Sequence, residues 1–393
     1  MALRALASIN LAAIERNAAT LRAGLTGGAR LCAVVKANAS GHGAVPAARA
    51  ALAGGAESLA VATALEAAEL REAGIGAPVL IMGALSAEEL GVALAAGAEV
   101  VAWSERFVAD LAARAAAVVP VHVKLDTGMG RLGTRQRTEA LAVAERVLQA
   151  GPTLELVGAM THLATADGDA EFMAAQLADF APFVDELRRR RPQIIAHAAN
   201  SAATVREPAS HHDMVRCGIA IYGCDPMNID PAPYGLEPAL ELTSYVAAVK
   251  RVEPGQSAGY GRRFIAERAT YLATLPIGYA DGVRRALSNN CDVLIGDRRC
   301  ALVGTVSMDN VTVDLGSAPP PGLVPGVAAV LIGRQGTERQ TTEDLANRMG
   351  TIAHEVLCGV SPRVTRRYHR DGEPVELTRG ALPTAVTDPR SRA

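Results

Sequence analysis

Along the first 235 residues, short apolar runs alternate with longer stretches of helical spacing. The runs are LCAVVK (31–36), SLAVAT (58–63), PVLIMG (78–83), EVVAW (99–103), VPVHVKLD (119–126), LELVGAMTH (154–162), QIIAHAAN (193–200) and MVRCGIAIYG (214–223). Each has the length and texture of a buried strand. Between them lie Ala-, Leu- and Glu-rich segments such as GAVPAARAALAGG and SAEELGVALAAG. Strand, helix, strand in regular alternation predicts parallel pairing through right-handed crossovers. Eight strands are the number that closes a (β/α)8 barrel. An open doubly wound sheet is the structural alternative, but no GxGxxG follows the first strand to support a dinucleotide-binding unit. The opening segment, MALRALASINLAAIERNAATLRAGL, reads as a helical start.

After about residue 236 the helical stretches thin out. LTSYVAAVKRV, ATYLATLPIGYA, CDVLIG, ALVGTVSMDNVTVDL and GVAAVLIG are β-like and separated by Gly, Pro and Asp turns. This predicts a smaller, mostly antiparallel β domain. The prolines of PAPYGLEP break any continuing element and mark the junction. The expected division is an α/β barrel over 1–236, a mostly-β domain over 237–381 and a disordered polar tail over 382–393.

Composition narrows the function classes. The chain has 393 residues, enough for two domains, and 49% hydrophobic residues support a large core. No apolar run is long enough to span a bilayer, and the N-terminus lacks the layout of a signal peptide. Lys and Arg total 39 against 41 Asp and Glu, so net charge favours neither nucleic acid nor anionic membrane. Six cysteines without a CxxC pair read as reduced thiols of a cytoplasmic protein, with no metal site. His211-His212 and Arg188 to Arg191 read as solvated loop and helix-end residues.

In a barrel of this kind, chemistry sits at the carboxyl ends of the strands. The proposed strands end in Lys36, Lys124 with Asp126, His162, Asn200 with Ser201, and Arg216. A lone lysine after a strand is usually a solvated cap; several polar ends converging on one rim are harder to dismiss. Lys36 in AVVKANASGHG has few bulky neighbours. A lysine at a hydrophobic mouth loses hydration, which lowers its pKa and frees the amine as a nucleophile. The small residues after it leave room for a flat cofactor, and pyridoxal phosphate fits that description. RCGIAIYG supplies a glycine and free N–H groups suited to a phosphate, with the Ser201 hydroxyl beside them.

Taken in order, AVVKANASGHG, VKLDTGMGRLG (123–133), THLATAD (161–167), HAANSAA (197–203), VRCGIAIYG (215–223), AGYGRRF (258–264), PIGYADG (276–282) and GTVSMDN (304–310) resemble the alanine racemases. These are fold-type III pyridoxal-phosphate enzymes, and the resemblance covers nearly the whole chain. It implies a barrel followed by a β domain and a homodimer that shares its active sites. It also implies that the chain makes D-alanine, a peptidoglycan precursor. Lys36 matches the Schiff-base lysine and first catalytic base. Tyr260 matches the second base, reaching the partner subunit's site. Arg216 matches the residue facing the pyridine nitrogen, and His162 the one linking it to the tyrosine. Arg131 matches the arginine on the cofactor's phenolic oxygen and substrate side, supported by Lys124, whose position is carbamylated in some members. Ser201, Gly218 and Ile219 match phosphate contacts, and Tyr279 and Met308 match substrate-side positions from the partner. A base on each face of a planar carbanion is the simplest device for racemisation. A tyrosine with a reference pKa of about 10 serves only if positive charge stabilises its phenolate.

Two departures stand out. Ser40 and Pro362 occupy places where the family usually has tyrosines near the cofactor phosphate and substrate path. Ser40 keeps a hydroxyl for a cofactor contact, whereas Pro362 cannot donate. Either another side chain such as Tyr368 refills the space and the substrate is alanine, or the pocket takes a larger or more polar amino acid such as serine. Two other classes remain open: a pyridoxal-phosphate carrier without turnover, which has no need of Tyr260, and a decarboxylase of the same fold type.

Overall fold

The structure is a computed structural model that describes residues 3–375. The tail expected from residue 382 lies outside the described residues. Contacts group the chain into two compact units. One joins Arg22–Ala39 with Ala44–Cys217; the other joins the chain up to Leu21, Ser40–Gly43 and Gly218–Gly372. No helix among the described residues is long and apolar enough to cross a membrane.

The chain opens with β1 (Leu6–Asn10), and eight further strands build the first unit. They are β2 (Arg30–Val34), β3 (Ser58–Val61), β4 (Val79–Ile81), β5 (Glu99–Ala102), β6 (Val119–Lys124), β7 (Leu154–Met160), β8 (Ile195–His197) and β9 (Met214–Cys217). Their order is β8-β7-β6-β5-β4-β3-β2-β9, and every pair is parallel. Backbone bonds from Asp213 N to Ala196 O (3.1 Å) and from Arg216 N to Ala199 O (3.0 Å) bring the two ends together. All eight apolar runs are therefore strands of a near-closed (β/α)8 barrel, and the open sheet is excluded because the terminal strands β8 and β9 are joined by these backbone bonds. Val100, Val121, Val123 and Leu156 pack against Phe180 and Phe183 of the surrounding helix Ala170–Arg190, all essentially inaccessible. The helices Ala64–Glu72 and Ala87–Ala95 start on reciprocal caps, as where Thr63 and Glu66 satisfy each other's backbone N–H groups.

The opening residues depart from the helical expectation. In β1, Ala7 and Ile9 are buried while their neighbours are not. That period of two belongs to a strand with one covered face. The helix begins only at Leu11. β1 pairs antiparallel with Leu240–Tyr245 and parallel with Thr365–Arg370. It thereby joins a mostly antiparallel sheet in the order 248–252, 270–275, 311–316, 298–303, 292–295, 328–335, 240–245, 6–10, 365–370. The proline-rich stretch is anchored to the helix Leu11–Ala23 by Asn17, which has no accessible surface. Its Nδ2 donates to Ile221 O (3.0 Å) and Glu237 O (2.8 Å), and its Oδ1 accepts from Glu237 N (2.8 Å).

Asn17→Ala leaves buried carbonyl and N–H groups without partners. We expect it to lower stability by about 3 kcal/mol, read as a reduced urea midpoint at unchanged slope.

Candidate active site

The site is built at the carboxyl ends of the barrel strands. Directly after β2, Ala37, Asn38 and Ala39 all have φ of 53° and Ser40 has φ of 49°. Left-handed turns of L-residues cost roughly 1–2 kcal/mol each, because Cβ meets the following carbonyl. The small residues of ANAS keep that crowding tolerable. The turn is tied down at both ends. The Glu66 carboxylate accepts from Ala37 N (2.6 Å) and from Ala62 N (2.8 Å) at the end of β3. Asn38 Oδ1 accepts from Ala44 N (2.8 Å). Strain held this firmly beside a strand end is characteristic of functional sites. The turn presents Lys36 to solvent: the residue is exposed. The dehydrated lysine expected here is a different one.

That lysine is Lys124, only 2% exposed at the end of β6. Burial, with Arg216 and Arg131 nearby, lowers its pKa to about 8. Two residues on, Asp126 Oδ1 accepts from Gly128 N (3.1 Å) and Gly130 N (3.0 Å). Burial raises the Asp126 pKa, but the N–H groups of Gly130, Gly128 and Met129 outweigh it and hold the carboxylate below its usual range. Gly128, Gly130 and Gly133 all have positive φ, and a Cβ on Gly133 would press on the Lys124 stem and Asp126. The DTGMGRLG run is thus a tight loop folded over Lys124 that carries Arg131 exposed near its tip.

Arg216, from β9, is 3% exposed. Its Nη2 donates to Thr161 O (2.9 Å), Ala198 O (3.1 Å) and His162 Nδ1 (3.2 Å), and its Nη1 to His197 Nδ1 (2.9 Å). Nε has no partner among the described residues. Burial lowers the guanidinium pKa only to about 10, so it stays charged near neutrality. Burial and the charges of Arg216, Lys124, Arg131 and Lys36 push His162 well below its ordinary value. His162 is a neutral imidazole that accepts at Nδ1 and carries its proton on Nε2. The structure brings Lys36, Lys124, Arg131, His162 and Arg216 into one electrostatic neighbourhood. Ser201 is buried at the first turn of the helix Ser201–Arg206, which Asn200 caps through Ala203 N (3.1 Å).

The remaining site residues lie in the sheet unit. Gly218 directly follows β9 and opens the turn Ile219–Tyr222, with Ile219 buried. Tyr260 is 74% exposed, on a turn whose carbonyl accepts from Thr305 Oγ1 (2.8 Å). A Cβ on Gly278 would lie 2.3 Å from Ser307 O, so PIGYADG docks directly on GTVSMDN. Tyr279 N donates to Ser307 O (3.0 Å) and Ala280 N to Met308 O (3.1 Å). The loops bearing Tyr279 and Met308 therefore meet backbone to backbone, and the Tyr260 turn joins them through the Thr305 hydroxyl. Asp281 locks it: fully buried, its carboxylate accepts from Gly278 N (2.8 Å) and pairs with Arg4 and Arg363. Arg363 follows Pro362, which is exposed. Arg366 donates to Gly41 O (3.2 Å), Val360 O (2.7 Å) and Val364 O (2.9 Å), so the loops of Ser40 and Pro362 are held together. Tyr368 is buried mid-strand opposite Ile9.

Sequence reasoning missed His122, His197 and Glu99. The available signal was a histidine inside an apolar strand, and in VPVHVK the period of two puts His122 on the same side as Lys124. It also missed Asp281, Arg363 and Arg366. His211 is not solvated: buried, it accepts at Nδ1 from Thr26 N (3.1 Å) and donates from Nε2 to Thr204 O (2.9 Å).

Comparison with known proteins agrees with this layout. A family profile described as alanine racemase, N-terminal domain, matches residues 9–226, and its C-terminal counterpart matches 239–368. The alanine racemase of Symbiobacterium thermophilum is 41% identical over 368 residues, covering 92% of this chain and 96% of that protein. The one from Nostoc sp. is 39% identical over 384 residues, covering 92% and 95%. Among solved structures, the alanine racemase of D-cycloserine-producing Streptomyces lavendulae superposes with a TM-score of 0.88 at 35% identity, covering 94% of this chain and 98% of that one. That from Bacillus anthracis with bound L-Ala-P gives 0.87 at 35%, covering 96% and 97%. With both halves matched in order and relatives aligned end to end, the chain belongs to the alanine racemase family.

Proposed function

We propose that this protein interconverts L- and D-alanine with pyridoxal phosphate, using Lys36 and, from the partner subunit of a homodimer, Tyr260 as its two bases. The observation that carries this reading is the cluster of Lys36, Lys124, Arg131, His162 and Arg216 at one end of the barrel. Those four cations act on one neutral imidazole, and the nearby carboxylate, Asp126, is engaged by turn N–H groups. Such a mouth is chemically matched to an anionic, electron-poor aromatic aldehyde. The cofactor, when bound, supplies the electron-withdrawing ring that acidifies the Cα–H of the amino acid.

The chain's own residues then have separable tasks. Lys36, exposed on its strained turn, supplies the amine that tethers the cofactor and works one face of Cα. Arg216, a donor that stays charged and whose Nη1 and Nη2 are already engaged, would hold the pyridine nitrogen as an acceptor. His162, its Nδ1 committed to Arg216, presents Nε2–H to a phenolate oxygen from Tyr260 of the partner subunit. Arg131 and Lys124 balance the phenolic oxygen and the substrate carboxylate. Ser201, Gly218, Ile219 and Ser40 are the residues that the family resemblance assigns to the phosphate. Exposed Tyr260, Tyr279, Met308, Ile265 and Ile352 all belong to the sheet unit, which suits a face covered in a dimer. Tyr279 and Met308 complete the substrate side from the partner. The cytoplasm is the expected compartment, and D-alanine for peptidoglycan the expected product use. Alanine is preferred to serine because full-length relatives carry that name across both domains.

In deuterated solvent with added cofactor, L-alanine should gain label at Cα and yield D-alanine. No exchange and no D-product would contradict the reading. Tyr260→Phe should reduce turnover by about a thousandfold or more, the scale of a lost general base, while the yellow holoenzyme forms normally. Unchanged turnover would remove Tyr260 from the chemistry.

A further inference from the structure

Arg216 is a buried cation with no ion pair to a carboxylate among the described residues. Its acceptors are two carbonyls and two imidazoles. An uncompensated charge in a barrel interior is costly, and such groups ordinarily end on an opposite charge. One of the two imidazoles leads to one. His197 Nε2 lies 2.8 Å from His122 Nδ1, and His122 Nε2 lies 2.9 Å from Glu99 Oε2. His122 and His197 are buried, while the Glu99 side chain is 24% exposed at the start of β5. The line therefore runs from the carboxyl end of the barrel, where Arg216 sits, toward the amino end of its strands.

The direction of every bond is fixed by Arg216, which can only donate. His197 accepts at Nδ1, so as a neutral ring it carries its proton on Nε2 and donates to His122 Nδ1. His122 then carries its proton on Nε2, and residue 99 must accept it. Burial and the Arg216 charge hold His197 well below its ordinary pKa, which keeps the ring neutral. Burial raises the Glu99 pKa, but the hydrogen bond from His122 and the charges of Arg30 and Arg71 outweigh it and keep the carboxylate ionised. The fold makes room for this line at one position. A Cβ on Gly158 of β7 would lie 1.8 Å from His122 Nδ1, so the ring occupies the space a side chain there would fill.

We propose that Glu99 is the counter-ion of Arg216, acting through His122 and His197, and that it is a positioning residue for the guanidinium at the barrel mouth. The inference rests on the proposed racemase function only for its kinetic consequence. The chain orients Arg216 and sets how strongly it donates, without touching substrate or cofactor.

The test uses the holoenzyme with ¹⁵N-labelled histidine. Glu99→Gln keeps an acceptor and removes the charge; Glu99→Leu removes both. In the unsubstituted protein, His122 and His197 should each be the Nε2–H tautomer. Glu99→Gln should retain both tautomers, shift the His122 Nε2 proton upfield, and lower kcat about tenfold with KM nearly constant. Glu99→Leu should also cost His122 its single tautomer; if that variant does not fold, the glutamine variant decides alone. Either histidine in the Nδ1–H form, or a Glu99→Gln protein with unshifted His122 resonance and unchanged kcat, overturns the proposal. Absence of alanine turnover in the unsubstituted protein would instead count against the proposed function, and the resonances would still decide the role of Glu99.

Discussion

Four cations crowd the carboxyl end of one barrel, and the Asp126 carboxylate beside Lys124 is already engaged by backbone N–H groups. That excess of positive charge is the constraint on which the rest of the site depends. Burial makes it sharper, since charges separated by protein repel more strongly than charges separated by water. The structure responds in three ways. Lys124 gives up part of its proton affinity. His162 and His197 stay neutral. Arg216 keeps its charge and distributes its donors over carbonyls and imidazoles. A site so arranged is poised for an anion and for developing negative charge, which is what removal of a Cα proton creates.

Backbone geometry contributes as much as charge. The left-handed turn after β2 explains why AVVK is followed by ANAS: bulky or branched residues would clash at three consecutive positions with φ of 53°. Glu66 and Asn38 hold the turn closed, so the lysine at its start is aimed by structure it does not itself supply. In the sheet unit, bare glycines play the corresponding part. Gly278 allows the Tyr279 loop to lie on the Met308 loop, and buried Asp281 fixes that contact through Arg4 and Arg363. Of the two unusual positions, Pro362 is exposed and Ser40 half-buried, and Tyr368 is taken up by the sheet.

Much of this was legible in the residues alone. The eight apolar runs mark all eight barrel strands, because strands buried on both faces leave an unbroken apolar signature. The rim residues Lys36, Lys124, His162 and Arg216 are legible for the same reason: polarity at the end of such a run has few explanations. The opening strand was not legible, since LASIN is too short to separate period two from the helix that follows. Lys36 as the dehydrated amine was also misread. Apolar residues before a lysine do not bury it when the chain turns outward immediately afterwards. Glu99, His122 and Asp281 were hidden because their importance lies in partners distant along the chain.

The mouth thus offers two lysines with opposite qualifications: Lys124 has the lowered pKa but is buried, whereas Lys36 is exposed on a turn that aims it. The account holds that access and orientation decide which one bonds the cofactor. Borohydride reduction of the holoenzyme, followed by peptide mapping, tests this most directly. A reduced pyridoxyl adduct on Lys36 and none on Lys124 is the predicted result; an adduct on Lys124, or none on either lysine, would contradict it.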